Sequence, residues 1–405
     1  MREPPSACSD TDPSGTVHDA TVEDPASAEK ISDIMKAAND RALKCLGVRE
    51  LHLNNLPEEA KIVDMPNQVG GHKTMKSVDA LLLLEWEGRR TGKKTSRRYV
   101  LKILHDGGRG LVELGFYEKL ASHKEGAGAL GEEPLRTELE GFLCPYFGAV
   151  RVITEASVDE AGEEIPPSTF FYLLIMDMNS GFDRPCTMDI KMGRVTVEPG
   201  EREEKRLGQL RKYPNQPIVG FRYVGMKWAS FAKEGEDFEE VAKKKSWGAK
   251  MPIDESGLGL ATFLHDGRSL RRGRVKCALR KIGVLKDWFA RQDIFRFYAS
   301  SVLITYDSAD PPEGHDGEEE VEVRMIDFAH AVPVDGQGQN GEGPAKAPAD
   351  EGYLHGLNNL VGILEELLEV TAGPDAPQDL DTITNKLDFM RKVGVAEMAA
   401  AKADS

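Results

Sequence analysis

The sequence predicts an α+β fold, and three observations predict it. Two short apolar runs, 81–86 and 99–104, flank a basic stretch and read as a β-hairpin. Aromatic and aliphatic residues crowd 170–178, the pattern of a buried strand. Helical segments share the chain with these strands, at 112–121, 259–265, 276–291 and 353–369.

The elements follow in chain order. Residues 1–27 are rich in Pro, Ser, Asp, Thr and Gly, with little to bury, and read as a disordered tail. Residues 28–64 form an N-terminal helix and linker. Ile31, Ile34, Met35, Ala38, Ala42 and Leu46 recur at helical spacing, an apolar stripe suited to the protein body or to a partner. The hairpin at 80–104 turns through basic residues 89–98. The buried strand at 170–178 ends in polar residues, and 185–193 is extended. Charge then rises over 202–250. Residues 293–306 read as one apolar strand, 308–320 as an acidic loop and 321–331 as another strand. The Gly-, Pro- and Ala-rich 334–351 is a flexible loop, and no internal repeat is present.

Composition narrows the functional classes. The chain has 405 residues, of which 40% are hydrophobic and 30% charged, the profile of a globular protein with polar loops. No run approaches the ~18 apolar residues of a membrane helix, so no transmembrane segment is expected. Residues 1–30 lack the apolar core of a secretory signal. A net charge of −16 argues against direct nucleic-acid binding by the surface as a whole. A polyanionic ligand then requires the basic residues to cluster. Cys8, Cys45, Cys144, Cys186 and Cys277 are scattered, with no C-x-x-C pair, which fits a reducing compartment and gives no structural zinc site. Nothing in the pattern demands an oligomer, and a monomer is expected.

The most informative segment is Pro185-Cys-Thr-Met-Asp189-Ile-Lys191-Met-Gly193. Asp189 and Lys191 are two residues apart, so in a strand both point to one side. Gly193 then permits a turn or a close backbone approach. A carboxylate and an ammonium together on one face suit a site that holds a metal–nucleotide beside a phosphorylated acceptor.

The spacing P-x-x-x-D-x-K-x-G resembles the signature of the inositol polyphosphate kinase family. Further blocks resemble that family in the same order. They are Gln68-Val-Gly-Gly-His72, Lys102 with Arg109-Gly110, Glu113 and Phe116-Tyr117, then Met176-Asp177-Met178, Ser300-Ser301-Val302-Leu303, Ile326-Asp327-Phe328-Ala329-His330 and Gly352-Tyr353-Leu354-His355-Gly356-Leu357. The resemblance spans roughly residues 65–370. It implies a two-lobed protein-kinase-like fold with a small inositol-binding helical insertion. The N-lobe and hinge would be 65–178, the C-lobe 179–393 with its inositol-binding region at 199–290, and 394–405 a C-terminal tail.

The resemblance also implies roles. Lys102, positioned by Glu113, would hold ATP phosphates, and Met176, Asp177 and Met178 would form the adenine-reading hinge, with Met176 where the family has glutamate. Asp327 would hold Mg2+. Asp189 would contact the ribose or polarise the attacking hydroxyl. Lys191 would sit between nucleotide and acceptor, making Asp189, Lys191 and Asp327 the catalytic set. Within the family, Glu204-Lys205-x-x-x-Gln209-x-x-Lys212-Tyr213-Pro214 resembles the substrate helix of the multikinase branch. Lys205, Gln209 and Lys212 fall on one helix face there. Lys227 replaces an arginine of that branch, Lys245 a glutamine, and His330 matches an inositol phosphate contact.

The implied reaction is ATP-dependent phosphorylation of inositol trisphosphate to tetrakis- and pentakisphosphate. The hexakisphosphate kinases, which make inositol pyrophosphates, share the core blocks. A phosphoinositide headgroup is a second possible acceptor. A non-catalytic role in a transcription-factor complex is the alternative of a different class. The family resemblance and the basic stretch 89–98 give an expected localisation in nucleus and cytoplasm.

Overall fold

Leucines and aromatic residues recur in 82–86, 99–103 and 170–175, and in the computed structural model these segments lie in one sheet. The structure describes residues 25–65, 81–90, 93–104, 108–123, 133–158, 164–231, 238–309, 319–334 and 350–403. The block Gln68–His72 lies outside them, as do residues 1–24, the core of the acidic loop 308–320 and nearly all of the Gly/Pro-rich loop 334–351.

The first lobe comprises α1 (Pro25–Leu46), β1 (Glu50–His52), β2 (Ala60–Asp64), β3 (Leu82–Arg90), β4 (Lys93–Ile103), α2 (Arg109–His123), α3 (Glu133–Gly141), β5 (Tyr146–Thr154), the short pair β6 (Ser157–Val158) and β7 (Glu164–Ile165), and β8 (Ser168–Met176). Its six-stranded sheet runs β1-β5-β8-β4-β3-β2. Alternate residues of β3, β4 and β8, among them Leu84, Trp86, Tyr99, Leu101 and Leu174, form a separate core with Ala42 and Leu46 of α1. The apolar stripe of α1 is therefore used on the protein body. Strand pairing continues out to Arg90 opposite Lys93, so most of the basic stretch expected as a turn at 89–98 belongs to the two strands.

The second lobe contains β9 (Pro185–Met192), α4 (Glu203–Lys212), α5 (Gln216–Val219), β10 (Phe221–Phe231), β11 (Phe238–Lys243), α6 (Lys245–Gly248), α7 (Leu258–Phe263), α8 (Arg272–Arg291), β12 (Phe295–Phe297), β13 (Ser301–Asp307), β14 (Glu322–Ile326), β15 (Ala331–Pro333), α9 (Glu351–Val370), α10 (Leu380–Asn385) and α11 (Phe389–Ala403). Its five-stranded sheet runs β11-β10-β9-β13-β14. β9 is central, and its period of two separates chemistry from packing. Cys186, Met188, Ile190 and Met192 enter the main core, while Thr187, Asp189 and Lys191 occupy the other face.

Four expectations differ from the structure. The strand expected at 293–306 is two strands, β12 and β13, because Ala299 takes a left-handed conformation (φ 55°) and turns the chain between them. The strand expected at 321–331 breaks likewise at Asp327 (φ 66°) into β14 and β15. The region 199–290 is not a purely helical insertion: β10 is an inner strand of the sheet, with Phe221, Tyr223, Met226 and Trp228 buried. The boundary expected at 394 falls inside α11.

A junction of three glycines ties the second lobe together. Gly193 N–H donates to the Gly220 carbonyl at 2.8 Å, and Gly220 takes φ 75° at the end of α5. A side chain at Gly220 would meet His355 Cδ2 at 2.7 Å and Gly356 Cα at 2.8 Å on α9. Gly220→Ala combines a left-handed backbone with a clash, and we expect it to destabilise the protein by about 2–3 kcal/mol. Chemical denaturation of the purified variant measures this; an unchanged midpoint would show that the junction is slack.

Candidate active site

Lys102 occupies the next-to-last position of β4, where strand alternation turns it away from its buried neighbours Leu101 and Ile103. Its ammonium lies 2.8 Å from Glu113 Oε1 on α2 and 2.6 Å from Asp327 Oδ1. The expected Lys102–Glu113 pair is thus present, and a second carboxylate joins it. Glu113 Oε1 also accepts the Phe328 backbone N–H at 3.1 Å. Phe328 is fully buried and stacks on Phe116, centroid to centroid 4.3 Å. One glutamate therefore holds both the lysine and the strained turn that presents Asp327. Burial alone would press Lys102 towards the neutral amine. The charges of Asp327 and Glu113 outweigh it and hold the ammonium above the ordinary lysine range.

Asp189 and Lys191 share the polar face of β9, on the floor of this cluster. Asp189 is 7% exposed, and its Oδ1 is buried with no hydrogen-bond partner. Burial, and then the negative charge of Asp327, push its carboxyl up to about 6; Lys191 opposes the shift. Lys191 Nζ donates to the Ala299 carbonyl at 2.6 Å, so the left-handed turn at Ala299 supplies its anchor. Burial lowers the proton affinity of Lys191, partly offset by Asp327 and Asp189. Asp327 has 42% of its side chain exposed, the most open of these carboxylates. Burial works against its charge, but Lys102 and Lys191 prevail and hold it below the usual carboxylate range.

The residues expected to form the hinge play different parts. Met176 ends β8, opposite Tyr99, and Met178 packs against the main core. The Asp177 side chain faces inward: its carboxylate sits 3.2 Å from Arg98 Nη2 and accepts the Asn179 N–H at 3.0 Å. Burial raises its carboxyl despite those partners. The Asp177 side chain thus orders the segment expected to form the hinge.

The expected acceptor residues divide into four groups. Lys212, at the end of α4, lies in the field of Lys245, Arg222 and Lys191; burial and then those three charges lower its proton affinity. Lys205 is paired with Glu201, and His330 Nδ1 lies 2.5 Å from Glu198 Oε1. These two pairs adjoin one another, since His330 also helps hold Glu201 ionised after the nearer Lys205. Lys227, opposite Thr187 in the β9–β10 register, is paired with Glu240 of β11 at 2.7 Å. Gln209 lines a cavity of about 140 Å³ with Arg194, Val197, Leu207, Leu210 and Gln216. The single face expected for Lys205, Gln209 and Lys212 is therefore shared among an ion pair, a cavity and a cationic cluster.

Arg222 escaped the sequence reading. It stands directly opposite Lys191 in the β9–β10 register, is 4% exposed, and has a buried Nε with no hydrogen-bond partner. The signal was an arginine inside the apolar run Ile218-Val-Gly-Phe-Arg222-Tyr-Val224, where a solvated residue is out of place.

Residues 172–365 match the model of the inositol polyphosphate kinase family. A 210-residue stretch is 33% identical to inositol hexakisphosphate kinase 3 of Mus musculus, covering 49% of this chain and 51% of that protein. A 215-residue stretch is 29% identical to inositol polyphosphate multikinase of Homo sapiens, covering 53% of this chain and 46% of that protein. A solved inositol phosphate multikinase from S. cerevisiae, in complex with ADP and Mn2+, aligns over 67% of this chain and 99% of its own, at 18% identity and a TM-score of 0.47. The chain spans about half the length of the curated relatives it matches. Residues 172–365, which carry Asp189, Lys191 and Asp327, match the inositol polyphosphate kinase family, and the curated relatives that align with the chain are kinases of inositol phosphates.

Proposed function

We propose that this protein transfers the γ-phosphoryl group of ATP to a hydroxyl of an inositol phosphate, converting inositol trisphosphate to tetrakis- and pentakisphosphate. The observation that carries this reading is the convergence of Lys102, Glu113, Asp327, Asp189 and Lys191 beside the cations Lys212, Lys245 and Arg222. Two anionic reactants need two adjoining cationic regions, and the polar face of β9 lies between them.

Phosphoryl transfer asks a protein mainly for positioning and charge stabilisation. Lys102 is already charged and clamped, so the nucleotide phosphates meet a fixed ammonium. Lys191, tethered to the Ala299 carbonyl, offers its remaining N–H groups to the transferred phosphoryl group and the acceptor. The unpartnered Asp189 Oδ1 accepts a hydrogen bond from a substrate hydroxyl. The acceptor oxygen bonds to the γ-phosphorus as the bond to the ADP oxygen breaks, and the hydroxyl proton leaves to solvent.

The donor set fits Mg2+. Among the described residues no three His, Cys, Asp or Glu side chains form a metal cluster of their own. Mg2+ in kinase sites takes one or two carboxylates and completes its shell with nucleotide phosphates and water. Asp327, open to solvent, would hold it, with Asp189 nearby. Bound there, the ion would neutralise phosphate charge.

The branch rests on α4, whose Lys205, Gln209 and Lys212 follow the multikinase pattern. A second reading, an inositol hexakisphosphate kinase, is supported by the 33% identity to such an enzyme. Retention of Asp189, Lys191 and Asp327 in one cluster favours catalysis over a purely scaffolding role.

Lys191→Ala should leave the melting temperature within a few degrees and cut turnover by at least roughly 1,000-fold. The assay offers inositol 1,4,5-trisphosphate and inositol hexakisphosphate with ATP and Mg2+, products being separated by anion exchange. Trisphosphate consumption supports the multikinase branch, whereas pyrophosphate formation alone would transfer the protein to the hexakisphosphate branch. Near-normal activity of the variant would sink the proposed role of Lys191.

Asp189 also sets a pH signature. Its carboxyl keeps its proton to about pH 6 when folded and to about 3.8 when exposed. The stability this contributes is fully present below about pH 4 and is lost as pH rises through 6. At neutral pH the buried carboxylate costs up to about 3 kcal/mol. Asp189→Asn should therefore melt higher than the parent at pH 7.5, with a gain that shrinks towards pH 4.5, while turnover falls. Melting curves across that range decide it; a difference independent of pH would contradict the assignment.

A further inference from the structure

Arg222 is a buried cation without a carboxylate bonded to it. Asp189 and Tyr213 help it keep its charge against burial, yet neither bonds its Nε, which is shut away from solvent. An arginine in such a place costs stability unless a counter-charge meets it. Its strand position is informative. Lys191 is flanked in the sheet by Arg222 on β10 and Ser301 on β13, and side chains in direct register emerge on the same face. Arg222 therefore projects on the side where Asp189 and Lys191 project.

The surrounding charges reinforce this direction. Arg222, Lys191, Lys212 and Lys245 lie close enough that the others depress Lys212, an arrangement of like charges with no stabilising logic of its own. The neighbouring cations differ. Lys205 is matched by Glu201, His330 by Glu198 and Lys227 by Glu240. A polyanion entering the site thus meets ready-paired groups at the periphery and, at the floor, a guanidinium whose Nε has no hydrogen-bond partner.

We propose that Arg222 binds a phosphate of the inositol phosphate acceptor, the one nearest the reacting hydroxyl, and so fixes which hydroxyl faces Asp189 and Lys191. This rests on the proposed function and adds to it a residue that sets acceptor orientation. A planar guanidinium presents parallel N–H donors to two phosphate oxygens, a geometry that a lysine cannot reproduce. The flexible lysines Lys212 and Lys245 would tolerate several phosphate patterns, and Arg222 would supply the fixed point around which they adjust.

The test measures binding to the full chain by titration calorimetry, for the parent, Arg222→Gln and Arg222→Lys. Inositol 1,4,5-trisphosphate and inositol hexakisphosphate are titrated without nucleotide, and AMP-PNP with Mg2+ separately. Arg222→Gln should weaken trisphosphate binding roughly 10- to 100-fold. Arg222→Lys should recover part of the loss, with AMP-PNP affinity and melting temperature close to the parent. Equal trisphosphate affinity in Arg222→Gln would overturn the assignment. So would an equal loss of AMP-PNP binding, which would place Arg222 at the nucleotide, or unfolding of both variants, which would make it structural. A parent protein that binds neither inositol phosphate would overturn the underlying function before any variant is compared.

Discussion

Lys102 carries one positive charge between two carboxylates, Glu113 at 2.8 Å and Asp327 at 2.6 Å, and the three groups come from β4, α2 and the turn after β14. Such a partly buried triad is attractive internally and costly to dehydrate at Lys102 and Glu113, so its net worth to stability is modest. Its geometric consequence is larger. Lys102 and Asp327 are separated by 225 positions, and their contact fixes one lobe against the other. Glu113 adds a hydrogen bond to the backbone of Phe328, and Phe116, one turn along α2, stacks on the Phe328 ring. The left-handed turn at Asp327, a conformation that costs a non-glycine residue about 1 kcal/mol or more, is held by these contacts. Phosphates arriving at Lys102 would compete with Asp327 for the ammonium, so the interaction that assembles the site also keeps it poised for a ligand.

The polar face of β9 shows a second constraint. A strand with both faces covered would normally be apolar throughout. Here one face is core and the other carries Thr187, Asp189 and Lys191. Burial pushes Asp189 towards its neutral form and lowers the proton affinity of Lys191, so each charge destabilises the fold that contains it. Their neighbours only partly compensate. Buried, incompletely satisfied ionisable groups in a cleft are the physical mark of a site built for a ligand rather than for stability.

Much of this was legible in the sequence. The alternation in Pro185–Met192 placed Asp189 and Lys191 on one face, and the family resemblance implied the Lys102–Glu113 pair, which Asp327 joins in the structure. The breaks at Ala299 and Asp327 were not legible, because neither residue advertises a left-handed backbone and the flanking apolar runs are continuous. β10 was hidden by the charge of its surroundings, and Arg222 within it, since strand register is a long-range property. The pairing of Lys205 with Glu201 and of His330 with Glu198 was equally out of reach, because a spacing rule gives a helix face but not the loop that neutralises it.

The contact between Gly193 and Gly220 brackets everything between them. The segment carrying α4 leaves the central strand at one glycine and returns to its neighbour at the other, and Gln216 adds a bond from its side chain to the Gly193 carbonyl at 2.7 Å. The chain therefore closes on itself before re-entering the sheet, with Tyr213 and Val219 of the enclosed segment packed into the main core. Under the proposed function the exposed helix α4 within this closed loop meets the acceptor, and exchange of its residues would be the economical route to a new acceptor preference while Asp189 and Lys191 on β9 stay unaltered.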